Sequence, residues 1–233
     1  MSPQPTEIIS ILKALGDSEK IGDYQRFFKT AKGQYAHGDV FLGIKVPVLR
    51  AELKKHQDLT LDHAIQLLQS ELHEVRFFAL ILMNRLFSKN KETVYQAYLT
   101  NRPRINNWDL VDISTHKIVG AYLLDKNDRS ILDDLIKSDT LWDRRIAVVA
   151  CWSLIRQGDY TDILRLSAKL LDDPEDLMHK AVGWMLREVG KKSIETQRAF
   201  LMEHYTKMPR TMLRYAIEHL SKDERQDYLK GRV

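Results

Sequence analysis

Four short stretches of this chain repeat one another at a fixed spacing, and that period limits the fold more than any other feature. They are Val75-Arg76-Phe77-Phe78-Ala79-Leu80, Arg144-Arg145-Ile146-Ala147-Val148, His179-Lys180-Ala181-Val182 and Leu213-Arg214-Tyr215-Ala216-Ile217. Their alanines stand 68, 34 and 35 residues apart, so a member missing from the long gap would centre near 113, inside the helical pattern of 108–114. Between consecutive members lies one more amphipathic segment, for example 160–171 or 195–205. A helix pair every ~35 residues, with small residues letting neighbours pack closely, is the pattern of an α-solenoid. The expected fold is all-α, an α-solenoid of about six helix pairs. A non-repetitive helical bundle is the competing architecture.

The rest of the chain agrees. Only 10 Gly and 6 Pro occur in 233 residues, too few for a turn-rich all-β protein. Glu7 to Leu15 places apolar groups at helical spacing. Helix starts are expected at Asp173-Pro174-Glu175-Asp176, at Pro209, and at two capping boxes, Ser221-Lys222-Asp223-Glu224 and Thr140-Leu141-Trp142-Asp143. The exception to helix is 31–46, which ends in Phe41-Leu42-Gly43-Ile44 and reads as an ordered loop. The organisation expected is one helical domain over 1–233, with N-terminal helices and loop in 1–46 and repeats in 47–233. One cysteine, Cys151, excludes an intrachain disulfide and a Cys-based zinc cluster. No apolar run approaches the ~20 residues of a membrane span, and the first residues lack a signal pattern. The expectation is a soluble protein of a reducing cytoplasm.

Register then selects a surface. Positions −5, −1 and +3 from each repeat alanine share a helix face. That face carries Trp108, Asp112 and His116 in one repeat and Trp142, Ile146 and Ala150 in the next, with Arg145 beside them. It carries Asp176, Lys180 and Trp184 in the third, and Thr211, Tyr215 and His219 in the last, with Arg214 alongside. Trp142 has apolar neighbours and reads as core. Asp109 suits the first turn of a helix, where it complements the dipole; Asp112 lies too far in for that and asks for another reason. Arg145, Lys180 and Arg214 fit equally well as ordinary solvated charges. Metalloprotease, nucleophile-elbow and dinucleotide motifs are absent, Gly190-Lys191-Lys192-Ser193 has the wrong glycine spacing for a phosphate loop, and the eight histidines show no ligand spacing. No metal and no cofactor is expected.

Four strings carry a resemblance: Phe41-Leu42-Gly43-Ile44-Lys45-Val46-Pro47, Asn107-Trp108-Asp109-Leu110-Val111-Asp112, Leu141-Trp142-Asp143-Arg144-Arg145-Ile146-Ala147, and Lys180-Ala181-Val182-Gly183-Trp184-Met185-Leu186-Arg187-Glu188. In this order, over about 41–220, the chain resembles the AlkD-like DNA alkylation-repair glycosylases. The resemblance implies a HEAT-like solenoid with a concave, basic cleft for double-stranded DNA, and excision of 3- and 7-alkylated purines. It implies Asp112 as the catalytic carboxylate, Trp108 and Trp184 as cleft tryptophans, Arg145 as a cleft arginine and Arg187 as a backbone-contacting arginine. Lys180 and Arg214 join these as DNA-binding cations by register. The chain departs from the family pattern at Asn107, where a second aromatic often stands, and in 29–40, which is longer.

These residue types suit that chemistry. An alkylated purine is already cationic and leaves without a general acid, so one carboxylate that stabilises an oxocarbenium-like sugar is sufficient. Indole faces attract cations, by about 0.5–2 kcal/mol. Arginines on phosphates supply affinity without sequence information. The expected protein is a metal-independent monofunctional glycosylase of base excision repair, a monomer, cytoplasmic and nucleoid-associated when bound to DNA. Two other classes remain open: a non-catalytic DNA-structure binder on the same scaffold, and a protein-binding helical repeat module, which the modest net charge of +4 fits well.

Overall fold

A computed structural model describes residues 3–233. Among these residues the regular structure is entirely helical, and the sole β-type pairing is an isolated bridge between Val40 and Leu72. The chain forms two compact units, the first ending at Ser114 and the second beginning at Thr115.

The first unit contains α1 (Pro5–Ala14), α2 (Ser18–Phe28), α3 (Val46–Lys55), α4 (Leu61–Leu68), α5 (His73–Phe87), α6 (Lys91–Thr100) and the start of α7 (Trp108–Thr115). Its centre is α5, which packs on α1, α3, α4 and α6. Val75, Phe77, Phe78, Ala79 and Leu80 are all buried, as a helix apolar on every side requires. The stretch 29–45 is a loop, as its composition implies. The buried Glu74 orders it: the carboxylate accepts hydrogen bonds from the backbone N–H groups of Leu42 (2.9 Å), Gly43 (2.7 Å) and Ile44 (3.1 Å). Gly43 is obligatory there. Its φ of 78° lies in the left-handed region, and a side chain would run into the Asp17 carbonyl.

The second unit opens with a π-helical turn at His116–Gly120, then α8 (Ala121–Leu123), α9 (Ile131–Ile136), α10 (Leu141–Arg156) and α11 (Thr161–Lys169). It closes with α12 (Asp176–Lys192), α13 (Ile194–His204), α14 (Arg210–Ala216) and α15 (Lys222–Lys230). Here α10 packs on α9, α11 and α12, and α12 packs on α13 and α14. The repeat alanines 79, 147, 181 and 216 are all inaccessible to solvent, which is the physical content of the period. Gly183 extends the principle, because a Cβ there would collide with the Met212 carbonyl and the Tyr215 Cβ. Its absence sets how closely α12 and α14 approach.

Helix ends follow the sequence with two exceptions. Ser221 caps α15 by accepting from the Glu224 N–H. Thr140 makes no side-chain cap on α10; Ser138 instead bridges the two ends of the expected box, donating to Asp143 (3.0 Å) and accepting from the Thr140 N–H (3.2 Å). Helix α12 begins at Asp176 rather than beside Pro174, because Asp173 turns its carboxylate to the Glu175 N–H and pairs with Arg144.

Candidate functional site

In the first unit, Trp108 and Asp112 face one cavity of about 770 Å³. They occupy the same side of α7, one turn apart. Tyr24, Phe27 and Phe28 of α2, with Phe77 of α5, complete an aromatic wall, and Val46, Ile113 and the acidic residues Asp23, Asp109 and Asp112 line the rest. No Lys, Arg or His is among the described residues that line it. Trp108 is half-buried and stacks on Phe28, ring centres 5.4 Å apart and planes within 19°. Phe27 meets Trp108 edge-on at 5.7 Å and is 64% exposed, unusual for a phenylalanine in a soluble helix.

Behind the cavity lies a buried ionic cluster. The His73 ring is 2% exposed, with Nε2 lying 2.9 Å from Asp109 Oδ2 and Nδ1 lying 3.0 Å from Asp39 Oδ2. Arg76 pairs with the other oxygen of Asp39, and Asn107 Nδ2 donates to Asp39 Oδ2 at 3.2 Å. Burial opposes charge on His73, but the Asp109 and Asp39 carboxylates outweigh it and lift the ring's pKa to about 9. Burial likewise opposes the charge of Asp39, and the bonds from His73, Arg76 and Asn107 hold its carboxyl below the usual range. The face of His73 stacks on Phe41 at 4.4 Å and lies 5.1 Å from Phe28. Thus Asn107 and the long segment 29–40, the two departures noted in the sequence, meet at Asp39.

The remaining predicted residues lie in the second unit. Trp184 is half-buried and packs edge-on against Trp152 at 5.1 Å, and Trp152 in turn tilts against His116 at 4.6 Å. Arg187 pairs with Glu218, and with Arg214 and Arg225 it lines a separate cavity of about 570 Å³. Lys180 pairs with Asp176 at 2.8 Å. Arg145 is only 5% exposed, and its Nη1 donates to the Leu177 carbonyl at 2.6 Å, bracing the first turn of α12. Trp142, Ile146 and Ala150 are buried, so the chosen face is core in that repeat.

Sequence reasoning missed Tyr24, Phe27, Phe28, His73, Asp39, Trp152 and Arg225. It read Asp109 as a dipole acid, whereas its carboxylate is bound to His73. The aromatic spacing of Tyr24, Phe27 and Phe28, at i, i+3 and i+4, was a usable signal. Among the described residues no group of His, Cys, Asp and Glu side chains converges as a metal site, and no helix is long and apolar enough to cross a membrane.

The family model described as DNA alkylation repair enzyme matches residues 8–220. The fold is similar to a predicted DNA alkylation repair enzyme from Enterococcus faecalis, at 19% identity and a TM-score of 0.72, over 89% of this chain and 97% of that one. It is also similar to AlkD2 from Streptococcus mutans, at 17% identity and a TM-score of 0.56, over 88% and 99% of the two chains. No relative of curated function matches the sequence.

Proposed function

The chain belongs to the DNA alkylation repair enzyme family, and on that premise we propose that it is a DNA glycosylase that releases cationic 3- and 7-alkylpurines from duplex DNA. The observation that carries this reading is the cavity itself: aromatic faces and carboxylates, with no cationic side chain lining it. Such a lining favours a positively charged ring over a neutral base and disfavours a phosphate.

Asp112 is the catalytic carboxylate in this reading. The C1′–N bond breaks with its electron pair going to the purine, which departs neutral, and the positive charge passes to the deoxyribose. Asp112 stabilises that oxocarbenium-like sugar and orients a water toward C1′. The water adds and loses a proton, leaving an abasic site. Trp108 presents its indole to the lesion nucleotide, and Trp184, in the second unit, is a further tryptophan that contacts the DNA. Arg187 and Arg214, which share a cavity, bind phosphates of the duplex, as does Lys180 once Asp176 yields it. Arg145 contributes by bracing α12 through the Leu177 carbonyl. The proposed working form is a monomer in the cytoplasm that needs no metal or cofactor.

The test is release of free base from methylated duplex DNA by the wild type and Asp112→Asn in parallel. Release should fall by about 10²–10³-fold in the variant, the scale of losing one electrostatic transition-state contact, while DNA affinity changes little. Equal rates would remove Asp112 from the mechanism. DNA binding by the wild type without base release would favour the non-catalytic reading, and no DNA affinity at low salt the protein-binding one.

A further inference from the structure

We propose that His73 is a positioning residue of this site, a doubly donating imidazolium that locks Asp109 to the loop behind the aromatic wall. The inference rests on the cavity being the lesion site. Its geometric basis is that both ring nitrogens face a carboxylate oxygen, at 2.9 and 3.0 Å. A neutral imidazole has one N–H and would leave one of those oxygens against a lone pair, so only the protonated ring satisfies both.

The charged groups around the ring are few. Asp109 faces it from α7 and Asp39 from the loop, with Arg76 of α5 behind Asp39. The neighbouring Glu74 spends its carboxylate on the loop amides. Phe41 stacks on the ring at 4.4 Å and Phe28 tilts against it at 5.1 Å, and both favour a cation there. A ring with a pKa near 9 stays charged at neutral pH, as the geometry requires.

His73 does not line the cavity, so it acts through what it holds. It joins Asp109, on the helix that presents Trp108 and Asp112, to Asp39 of the loop and, by a tilted ring contact, to Phe28 of α2. Loss of the proton breaks one of the two bonds and frees that helical turn relative to the wall. The lesion is then held less well aligned for departure, while phosphate contacts in the second unit are untouched.

The test pairs two measurements on the full chain. The first follows the ring nitrogens of His73 by ¹⁵N NMR as pH rises, assigned by the signal that disappears in His73→Gln. Both nitrogens should be protonated at neutral pH, with a midpoint near 9; a ring with a single N–H at neutral pH overturns the proposal. The second is the ratio of single-turnover base-release rates, wild type over His73→Gln, on one methylated duplex, which cancels the titration of the substrate. The ratio should be about tenfold or more near neutrality and shrink toward one as pH passes 9, with DNA affinity equal in the two proteins. A ratio near one, or one that does not change with pH, overturns it. Should the variant not fold, the ring is assigned in the wild type through its contacts with Phe41 and Phe28, and its titration decides alone. Should the wild type release no base, the functional reading fails while the titration still decides the clamp.

Discussion

Replacing Glu74 dissects the loop that backs the cavity. Its Oε1 accepts from Gly43 at 2.7 Å and Ile44 at 3.1 Å, and its Oε2 accepts from Leu42 at 2.9 Å. Glu74→Gln can keep the oxygen on the first two donors, but it then turns an amide NH₂ against the Leu42 N–H. One buried donor is stranded, at about 1–3 kcal/mol. Glu74→Ala strands all three and leaves a void. Partial access of water to Leu42 moderates the loss, which should reach about 3–6 kcal/mol, a large share of a typical domain stability. Urea unfolding should therefore rank wild type, Gln and Ala in that order. Native-state amide exchange should show the Leu42, Gly43 and Ile44 protons losing protection in Ala, and Leu42 first in Gln. Base release should fall alongside, since Phe41, which backs Phe28 of the wall at 4.9 Å, leaves with the loop. Equal stability of all three proteins within about 0.5 kcal/mol, the scale of an ordinary surface change, would refute the assignment of loop order to this carboxylate.

Other outcomes follow from the same geometry. The stabilisation from His73 is complete below its ordinary pKa of 6.5 and lost as pH rises to about 9, worth about 3 kcal/mol; urea midpoints should decline across that window in the wild type and stay flat in His73→Gln. The contribution of Asp39 runs the other way, present above the carboxylate range and lost in acid. Gly183→Ala should cost about 3 kcal/mol or more by calorimetry, because the clash is with backbone and a Cβ, and an unchanged Tm would contradict the packing of α12 on α14. Arg145→Ala should lose both stability, by about 1–3 kcal/mol, and DNA affinity, while Arg214→Ala should lose affinity alone. Burial pushes the Cys151 thiol pKa up, so thiol reagents should label the native protein only as fast as it unfolds.

Much of the scaffold was legible from residue spacing because it is built of local rules. The alanines at 79, 147, 181 and 216 revealed the period, and each is buried where helices touch. The loop at 31–46 was legible from its glycines. What spacing could not show was pairing across distance. His73 carries no periodic signal, and its partners lie 34 and 36 residues away. Asp109 satisfied a helix-dipole rule so well that its role in the ionic cluster was hidden. The box expected at Thr140 does not close, because Ser138 stands between the Thr140 N–H and the Asp143 carboxylate, an outcome of side-chain geometry rather than of motif. Trp108 and Asp112 stand together because they share a helix face; their aromatic surroundings come from α2, whose apolar spacing is visible but whose docking is tertiary.

The pairing of Arg187 with Glu218, and of Lys180 with Asp176, bears on how tightly ionic strength can govern the protein's hold on a polyanion. Each of these cations already has an anion of its own, so taking up a phosphate is an exchange rather than a fresh neutralisation. The displaced carboxylate gathers mobile sodium or potassium just as the phosphate gives them up. The logarithmic salt slope, normally about 0.9 per phosphate engaged, will therefore undercount the contacts made. A shallow slope in this protein is compatible with an extensive grip on the strand.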